Sequence, residues 1–395
     1  MQKLSLYIHF PYCLYKCHYC DFNSYAVKNI VSLQAPYVEA LLQELEVAQR
    51  NFSLPKLTTI FLGGGTPSLF DPSSLKGLLD EIDRRLGISK DVEISLEVNP
   101  KTIHASRIQD YLSIGINRFS IGIQSFQDQF LSPLGRLHNG EEAISTLRLF
   151  EEQGVQNYSF DLMFGFPGQS LQDLQKDLGI ALRFQPQHLS YYNLTLEEGT
   201  ILAEHFRQGK IKLLENDLQA SMYEEGIQGF QKAGFSLYEI SNFAKKGFES
   251  KHNLSYWKYR DYLGLGAGAV SFLSKDLRSF PCQESQTDLY GLRWTNPKSP
   301  DTYIKNPGQA YEESAWEQIS VEIARKEFWM MGLRLSEGIE IADFENKFGS
   351  GSLTMYEKVL QDLLQKEFLQ KTQGKLHLTP RGRLLANEVV SCFFI

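Results

Sequence analysis

The sequence predicts an α/β fold: parallel strands curved into a partial barrel, then a small, mostly helical C-terminal domain. Three observations lead there. Up to about residue 195, short apolar runs alternate with stretches of helical periodicity. The connections between runs are long enough to hold a helix, which parallel neighbours need and hairpins do not. One face of the runs is repeatedly polar or small, where strands covered by helices on both sides would be apolar throughout.

The candidate strands are residues 4–9, 57–62, 92–98, 116–124, 158–163 and 188–194. Between the second and third, Leu75, Leu78, Leu79, Ile82 and Leu86 share one helical face. Asp71 stands as N-cap, Pro72 at the first helical position, and Gly87 where a helix ends. Another helix starts near Ser170 and carries Leu171, Leu174, Leu178, Ala181 and Leu182. Residues 36–49 and 141–153 read as further helices. Side chains alternate faces along a strand. The polar face holds Ser5, Tyr7 and His9, then Glu93, Ser95 and Glu97, then Ser120, Gly122 and Gln124, then Ser159 and Asp161. Four inward polar faces predict an interior that holds a polar ligand. A half-solvated antiparallel sheet would alternate similarly but would not need the helical connections.

Beyond residue 195 a helix over 216–233 leads to a strand at 236–240 and a Tyr-, Trp- and Gly-rich stretch over 252–272. Residues 279–310, with Pro281, Pro297, Pro300 and Pro307, read as a loop or linker. Helical patterns resume over 321–335, 341–347 and 353–365, and 374–380 reads as a short hairpin. The expected organisation is a barrel over 1–235, an extension over 236–314 and a small helical domain over 315–395.

The chain has 395 residues, 42% hydrophobic and 22% charged, which excludes a largely disordered protein. Forty Lys+Arg against 47 Asp+Glu argue against a surface that binds nucleic acid non-specifically. No apolar run approaches the ~18 residues of a transmembrane helix. Lys3, His9 and Cys13 interrupt what a signal peptide would keep apolar, so a cytoplasmic location is expected.

Three of the five cysteines, Cys13, Cys17 and Cys20, fall within eight residues just after the first strand. Thiolates gathered in this way suit an iron–sulfur cluster, or zinc completed by His18 or His9. Cys282 and Cys392 are isolated and read as free thiols. Directly after the second strand comes Gly63-Gly64-Gly65-Thr66-Pro67, a turn without side chains that lets a ligand approach the backbone amides and carbonyls. It lacks the Gly-Lys-Ser/Thr of a P-loop.

These segments together resemble the radical S-adenosylmethionine (SAM) superfamily, and within it the oxygen-independent coproporphyrinogen oxidase-like family. The resemblance spans nearly the whole chain. It is carried by Tyr7-Ile8-His9-Phe10-Pro11, the cysteine triad, the glycine turn, Ser95-Leu96-Glu97-Val98-Asn99-Pro100, Ile121-Gly122-Ile123-Gln124-Ser125-Phe126 and Asp161-Leu162-Met163-Phe164-Gly165-Phe166-Pro167. It implies a partial (β/α)6 radical SAM barrel with a [4Fe–4S] cluster on Cys13, Cys17 and Cys20. The open iron would be chelated by S-adenosyl-L-methionine. Tyr7 and Tyr19 would lie near the cluster, Gly64, Gly65 and Thr66 at the methionine end, and Glu97, Gln124, Arg136 and Asp161 would complete the polar contacts. Of these, Tyr7, Glu97, Gln124 and Asp161 already belong to the polar strand face.

Two features separate branches of that family. The oxidases carry a fourth cysteine two residues after the third, where this chain has Phe22. His252-Asn253-Leu254-Ser255-Tyr256-Trp257 resembles the motif of the HemW-type haem chaperones. A neutral imidazole is a common haem ligand, and Tyr and Trp can cover a porphyrin face. A histidine held structurally in an aromatic patch is the other reading of the same residues. The chaperone branch implies haem as bound cargo at His252, Tyr256 and Trp257, with apo-haemoproteins such as respiratory-chain components as recipients. It also leaves room for a homodimer. The alternative is radical oxidative decarboxylation of coproporphyrinogen III. Gly264, Gly266 and Gly268 lack the context of a dinucleotide fingerprint and read as points of close packing.

Overall fold

The computed structural model describes residues 3–279 and 288–394. Cys282 and Pro281 lie outside the described residues. Six strands, Leu4–Phe10, Leu57–Gly64, Ile88–Val98, Arg118–Gln124, Tyr158–Phe164 and His188–Asn193, lie side by side in chain order and all run parallel. The first and last do not meet. The free edge of Leu4–Phe10 takes Tyr262–Leu265 in parallel, and that of His188–Asn193 takes Asn242–Ala244 antiparallel. The barrel is therefore open, and its wall belongs to a twelve-stranded sheet.

The two faces of each strand explain the curve. Leu4, Leu6, Ile8 and Phe10 are fully buried on the outer face, with Phe10 against Tyr37 of the helix Val31–Asn51. Ser5, Tyr7 and His9 turn the other way, as alternation requires. The helix Pro72–Leu86 buries Leu75, Leu78, Leu79 and Ile82 and stops at Gly87, whose φ is 74°. Asp71 precedes it, but its side chain makes no cap. It accepts from Gln34 at 3.2 Å and Arg107 at 3.4 Å instead. Ser170 does cap Leu171–Ala181, in a box with Asp173.

Residues 279–310 are not simply a linker. They contain the strand Leu289–Thr295 and the helix Pro300–Lys305, and Trp294 stacks on Phe52 at 5.2 Å. The stretch over 252–272 holds the helix Lys251–Trp257 and the strands Tyr262–Leu265 and Val270–Ser274. Its glycines serve packing. A Cβ on Gly264 would stand 2.2 Å from the Val270 carbonyl oxygen, and Gly266, at φ +103°, lies against the His9 carbonyl. Buried Glu44 fastens this region to the barrel by accepting from Gly266 N–H, Asn296 and Tyr303.

The C-terminal region is mostly helical, with Val321–Gly332, Ile341–Phe348 and Glu357–Gln365. A three-stranded sheet of Ile339–Glu340, Lys375–Leu378 and Leu369–Thr372 joins them, so the expected hairpin begins before residue 374. Its core of Trp329, Phe344, Tyr356 and Phe393 also takes in Tyr259 and Phe272 from the preceding segment. Cys392 is an exposed free thiol. Among the described residues, no helix is long and apolar enough to cross a membrane.

Candidate functional site

The cysteine loop leaves the first strand at its C-terminal end. Tyr12–Cys13 pairs with Tyr25–Ala26 and pinches the loop at its base. Cys13, Cys17 and Cys20 all line one cavity of about 470 Å³ at the mouth of the barrel. Thr66 Oγ1 donates to Cys13 Sγ at 3.4 Å, Arg136 Nη1 to Cys17 Sγ at 3.5 Å, and Ser24 Oγ lies 3.9 Å from Cys20 Sγ. Burial pushes the Cys13 and Cys20 thiols up, and these hydroxyls pull them back. Three sulfurs, a cation and hydroxyl donors around one cavity fit a group that takes cysteines as thiolates.

The histidines offered for zinc point elsewhere. His9 accepts from Tyr7 and donates to the Asn23 carbonyl, at 2.9 and 2.8 Å. His18 bonds Tyr15 and the Pro133 carbonyl. Among the described residues, no three His, Cys, Asp or Glu side chains gather tightly enough for a single metal ion.

The glycine turn forms the next wall. A Cβ on Gly65 would meet the Tyr12 carbonyl oxygen at 2.7 Å and Cys13 Sγ at 3.0 Å, so only glycine fits. Its amides are already used. Gly64 N–H donates to Glu97 at 2.9 Å, Gly65 N–H to Phe10 O and Thr66 N–H to Tyr12 O. The turn therefore offers a ligand close approach to bare backbone rather than these donors.

Glu97, Gln124 and Asp161 come from the third, fourth and fifth barrel strands and meet in the same cavity. Burial first, and then nearby Asp161, push the Glu97 carboxyl up to about 8. Burial raises Asp161 to about 6, against donors from Ser190 and Ser120. Gln124 sits at φ +71°, in a region that costs about 1–3 kcal/mol for a non-glycine residue and recurs at functional sites. Arg136 is not a surface arginine. Its Nη2 donates to Asn99 at 2.7 Å and to the Gly122 carbonyl, while its Nε is buried without a partner. Tyr19 lines the cavity beside it. Asn99 was not singled out by the sequence, yet it continues the inward series Glu93, Ser95, Glu97 and bridges Arg136 to Thr66. Tyr7 stands apart from this group. It lines a second, lateral cavity with His9, Tyr256 and Tyr262.

His252 lies at the barrel floor, 1% exposed. Its backbone N–H donates to Glu93 at 3.1 Å, and its ring stacks on Phe61 at 5.1 Å. Nδ1 pairs with Thr59 Oγ1 and Nε2 with the Tyr256 hydroxyl, each at 2.9 Å. Burial lowers its pKa to about 3, which keeps the imidazole neutral. Neither ring nitrogen is free to take a metal while both contacts stand. Trp257 packs under the Arg334 guanidinium, 4.7 Å away, with its indole N–H buried and unpartnered. Of the three residues expected to serve haem, Tyr256 alone lines one of the two cavities.

Comparison with known proteins gives a consistent outcome. Residues 7–179 match the radical SAM superfamily, and residues 319–385 match the HemN C-terminal domain. The chain is 38% identical to the heme chaperone HemW of Haemophilus influenzae, covering 100% of this chain and 98% of that protein. It is 35% identical to the heme chaperone HemW of Bacillus subtilis, covering 98% of each. Among solved structures, the coproporphyrinogen III oxidase HemN of Escherichia coli superposes with a TM-score of 0.78 at 21% identity. That match covers 99% of this chain and 90% of the other, and it shows a shared fold.

Proposed function

The chain belongs to the HemW heme chaperone family of radical SAM proteins, and on that premise we propose that it binds haem and passes it to apo-haemoproteins, respiratory-chain components among them. The observation that carries the reading is the extent of the kinship, which takes in the barrel, the His252 segment and the C-terminal region together.

We assign a [4Fe–4S] cluster to Cys13, Cys17 and Cys20, and S-adenosyl-L-methionine to the cavity beside them. When bound, the cluster supplies an open iron and one-electron chemistry. The chain's own residues orient the cofactor. Arg136, with Nε unpartnered, would take a carboxylate, and Glu97 and Asp161 would take cationic groups. Gln124 and Asn99 add amide contacts, Gly64, Gly65 and Thr66 admit close approach, and Tyr19 covers the site. Haem contact is assigned to Tyr256 and, behind it, His252, whereas Trp257, which lines neither cavity and packs under Arg334, supports their helix. Tyr7, on the lateral cavity, then serves the haem side rather than the cluster.

An anaerobic haem titration of cluster-loaded protein, followed by absorbance, tests the reading. Wild type should bind saturably and stoichiometrically. His252→Ala should weaken binding tenfold or more, about 1.4 kcal/mol. Non-saturating binding by wild type overturns the proposal.

A further inference from the structure

The lateral cavity has a volume of about 340 Å³ and shares Phe22, Gly64 and Glu97 with the cofactor cavity. Tyr7, Tyr256, Tyr262, Ala269 and Val270 form much of the rest of its wall. Among the described residues no lysine or arginine lines it, and besides the tyrosine hydroxyls its polar members are His9, Asn23 and Glu97. Aromatic and aliphatic walls without a cation suit one edge of a flat, largely apolar ring and do not suit an anionic group. Phe22, 61% exposed, stands at the mouth. The Lys16 ammonium donates to the Phe22 carbonyl at 3.1 Å from the side of the cofactor cavity, which it lines.

Tyr256 joins this cavity to the barrel floor. Its ring lies edge-on to Tyr262 at 4.7 Å, and its hydroxyl occupies Nε2 of His252, one helical turn earlier. His252 is otherwise fixed by Thr59, Glu93 and Phe61. The hydroxyl is thus the removable contact on an anchored, neutral imidazole.

We propose that the lateral cavity is the haem site and that Tyr256 is its gate. The ring edge enters between Val270 and Tyr262, the Tyr256 hydroxyl gives up Nε2, and Nε2 donates its lone pair to the haem iron. One hydrogen bond breaks, one coordinate bond forms, and no electron is transferred. The inference rests on the haem-binding reading above.

The test is the anaerobic haem titration of the full, cluster-loaded chain with Val270→Trp, which fills the cavity, and Tyr256→Phe, which keeps the ring but removes the hydroxyl. Val270→Trp should weaken haem binding at least tenfold with the cluster absorbance unchanged. If that variant fails to take up its cluster, Val270→Asp puts a charge in the same wall and should give the same loss. Tyr256→Phe should bind haem at least as tightly as wild type, because no contact on Nε2 has to break. Wild-type affinity in the cavity variants overturns the site, and a loss in Tyr256→Phe matching that of His252→Ala overturns the gate. If wild type itself does not saturate, the haem reading fails rather than the cavity assignment.

Discussion

Glu97 holds its proton near neutral pH, and that has consequences for stability and binding alike. Its carboxyl is raised to about 8, chiefly by burial and next by Asp161, while the Gly64 N–H works in the opposite direction. The folded state therefore binds this proton more tightly than the unfolded chain, whose Glu titrates near ~4.3. Stability must fall as pH rises from roughly that value to about 8, and the loss is complete above it. Glu97→Gln keeps an acceptor for Gly64 N–H and removes the titration. Its Tm without cofactor should exceed wild type at pH 8 and match it near pH 4, by calorimetry across pH. Binding should run the other way. A sulfonium or ammonium ligand favours the ionised carboxylates, so wild-type affinity for S-adenosyl-L-methionine should rise between pH 6 and 8. Glu97→Gln should bind more weakly and lose most of that rise, leaving the smaller part due to Asp161. Isothermal titration at several pH values reads both. Equal pH dependence in the two proteins would show that Glu97 does not meet the cation. At this scale, period-2 alternation alone finds Glu97, Gln124 and Asp161, and carried one step further it finds Asn99. What it cannot find is occupancy. Nothing in the residues around His252 reveals that Thr59, 193 positions away, and Tyr256 use both ring nitrogens.

The cysteine loop shows how elements, rather than residues, set a site. Asn23 Nδ2 donates to the Ala267 and Lys298 carbonyls, each at 2.9 Å, and ties the loop to the turn after Tyr262–Leu265 and to the segment ahead of the helix Pro300–Lys305. From within, the glycine turn presses on it at Gly65. Gly65→Ala must move either Tyr12 or Cys13, so anaerobic reconstitution should give less than half the wild-type iron content, read by iron analysis and cluster absorbance. Asn23→Ala removes these two hydrogen bonds and the one its Oδ1 accepts from the Tyr25 hydroxyl at 3.2 Å, about 1 kcal/mol each, without touching a cysteine. Its cluster should form at normal yield and bleach several-fold faster in air. Normal bleaching would show that the loop holds without this latch. The six barrel strands were legible because each is an apolar run flanked by helical periodicity. Tyr262–Leu265 was not, since Gly264, Gly266 and Gly268 interrupt the apolar run and read only as points of close packing. The first two are glycines because strand and turn crowd against Val270 and His9. Leu289–Thr295 was hidden for a different reason, for it lies between Pro281 and Pro297 and the surrounding composition reads as loop.

Across the whole molecule, the C-terminal region sits against the barrel floor rather than its mouth. Arg334 covers Trp257, the Ser336 N–H donates to the Tyr238 carbonyl at 2.9 Å, and Glu327 accepts from Tyr259 at 2.7 Å. Lys347 lies within 6 Å of the ring centres of Tyr259, Tyr290 and Phe328, contacts worth up to ~2 kcal/mol each when desolvated. These groups back the helix that carries His252, whereas the cysteine loop and the glycine turn lie at the opposite end of the strands. Removing residues 315–395 should therefore separate the two sites. The strand Glu317–Ser320 would go too, leaving Leu289–Thr295 at the sheet edge and exposing Tyr259 and Phe272. The shortened chain should melt lower and still take up its cluster, because no described hydrogen bond of Cys13, Cys17 or Cys20 crosses the cut. Haem binding should fall at least tenfold, because the helix Lys251–Trp257 loses its support. A truncated protein that binds haem like the full chain would mean that the barrel alone holds His252 in place. One that takes up no cluster would mean that residue 315 does not divide two separable units.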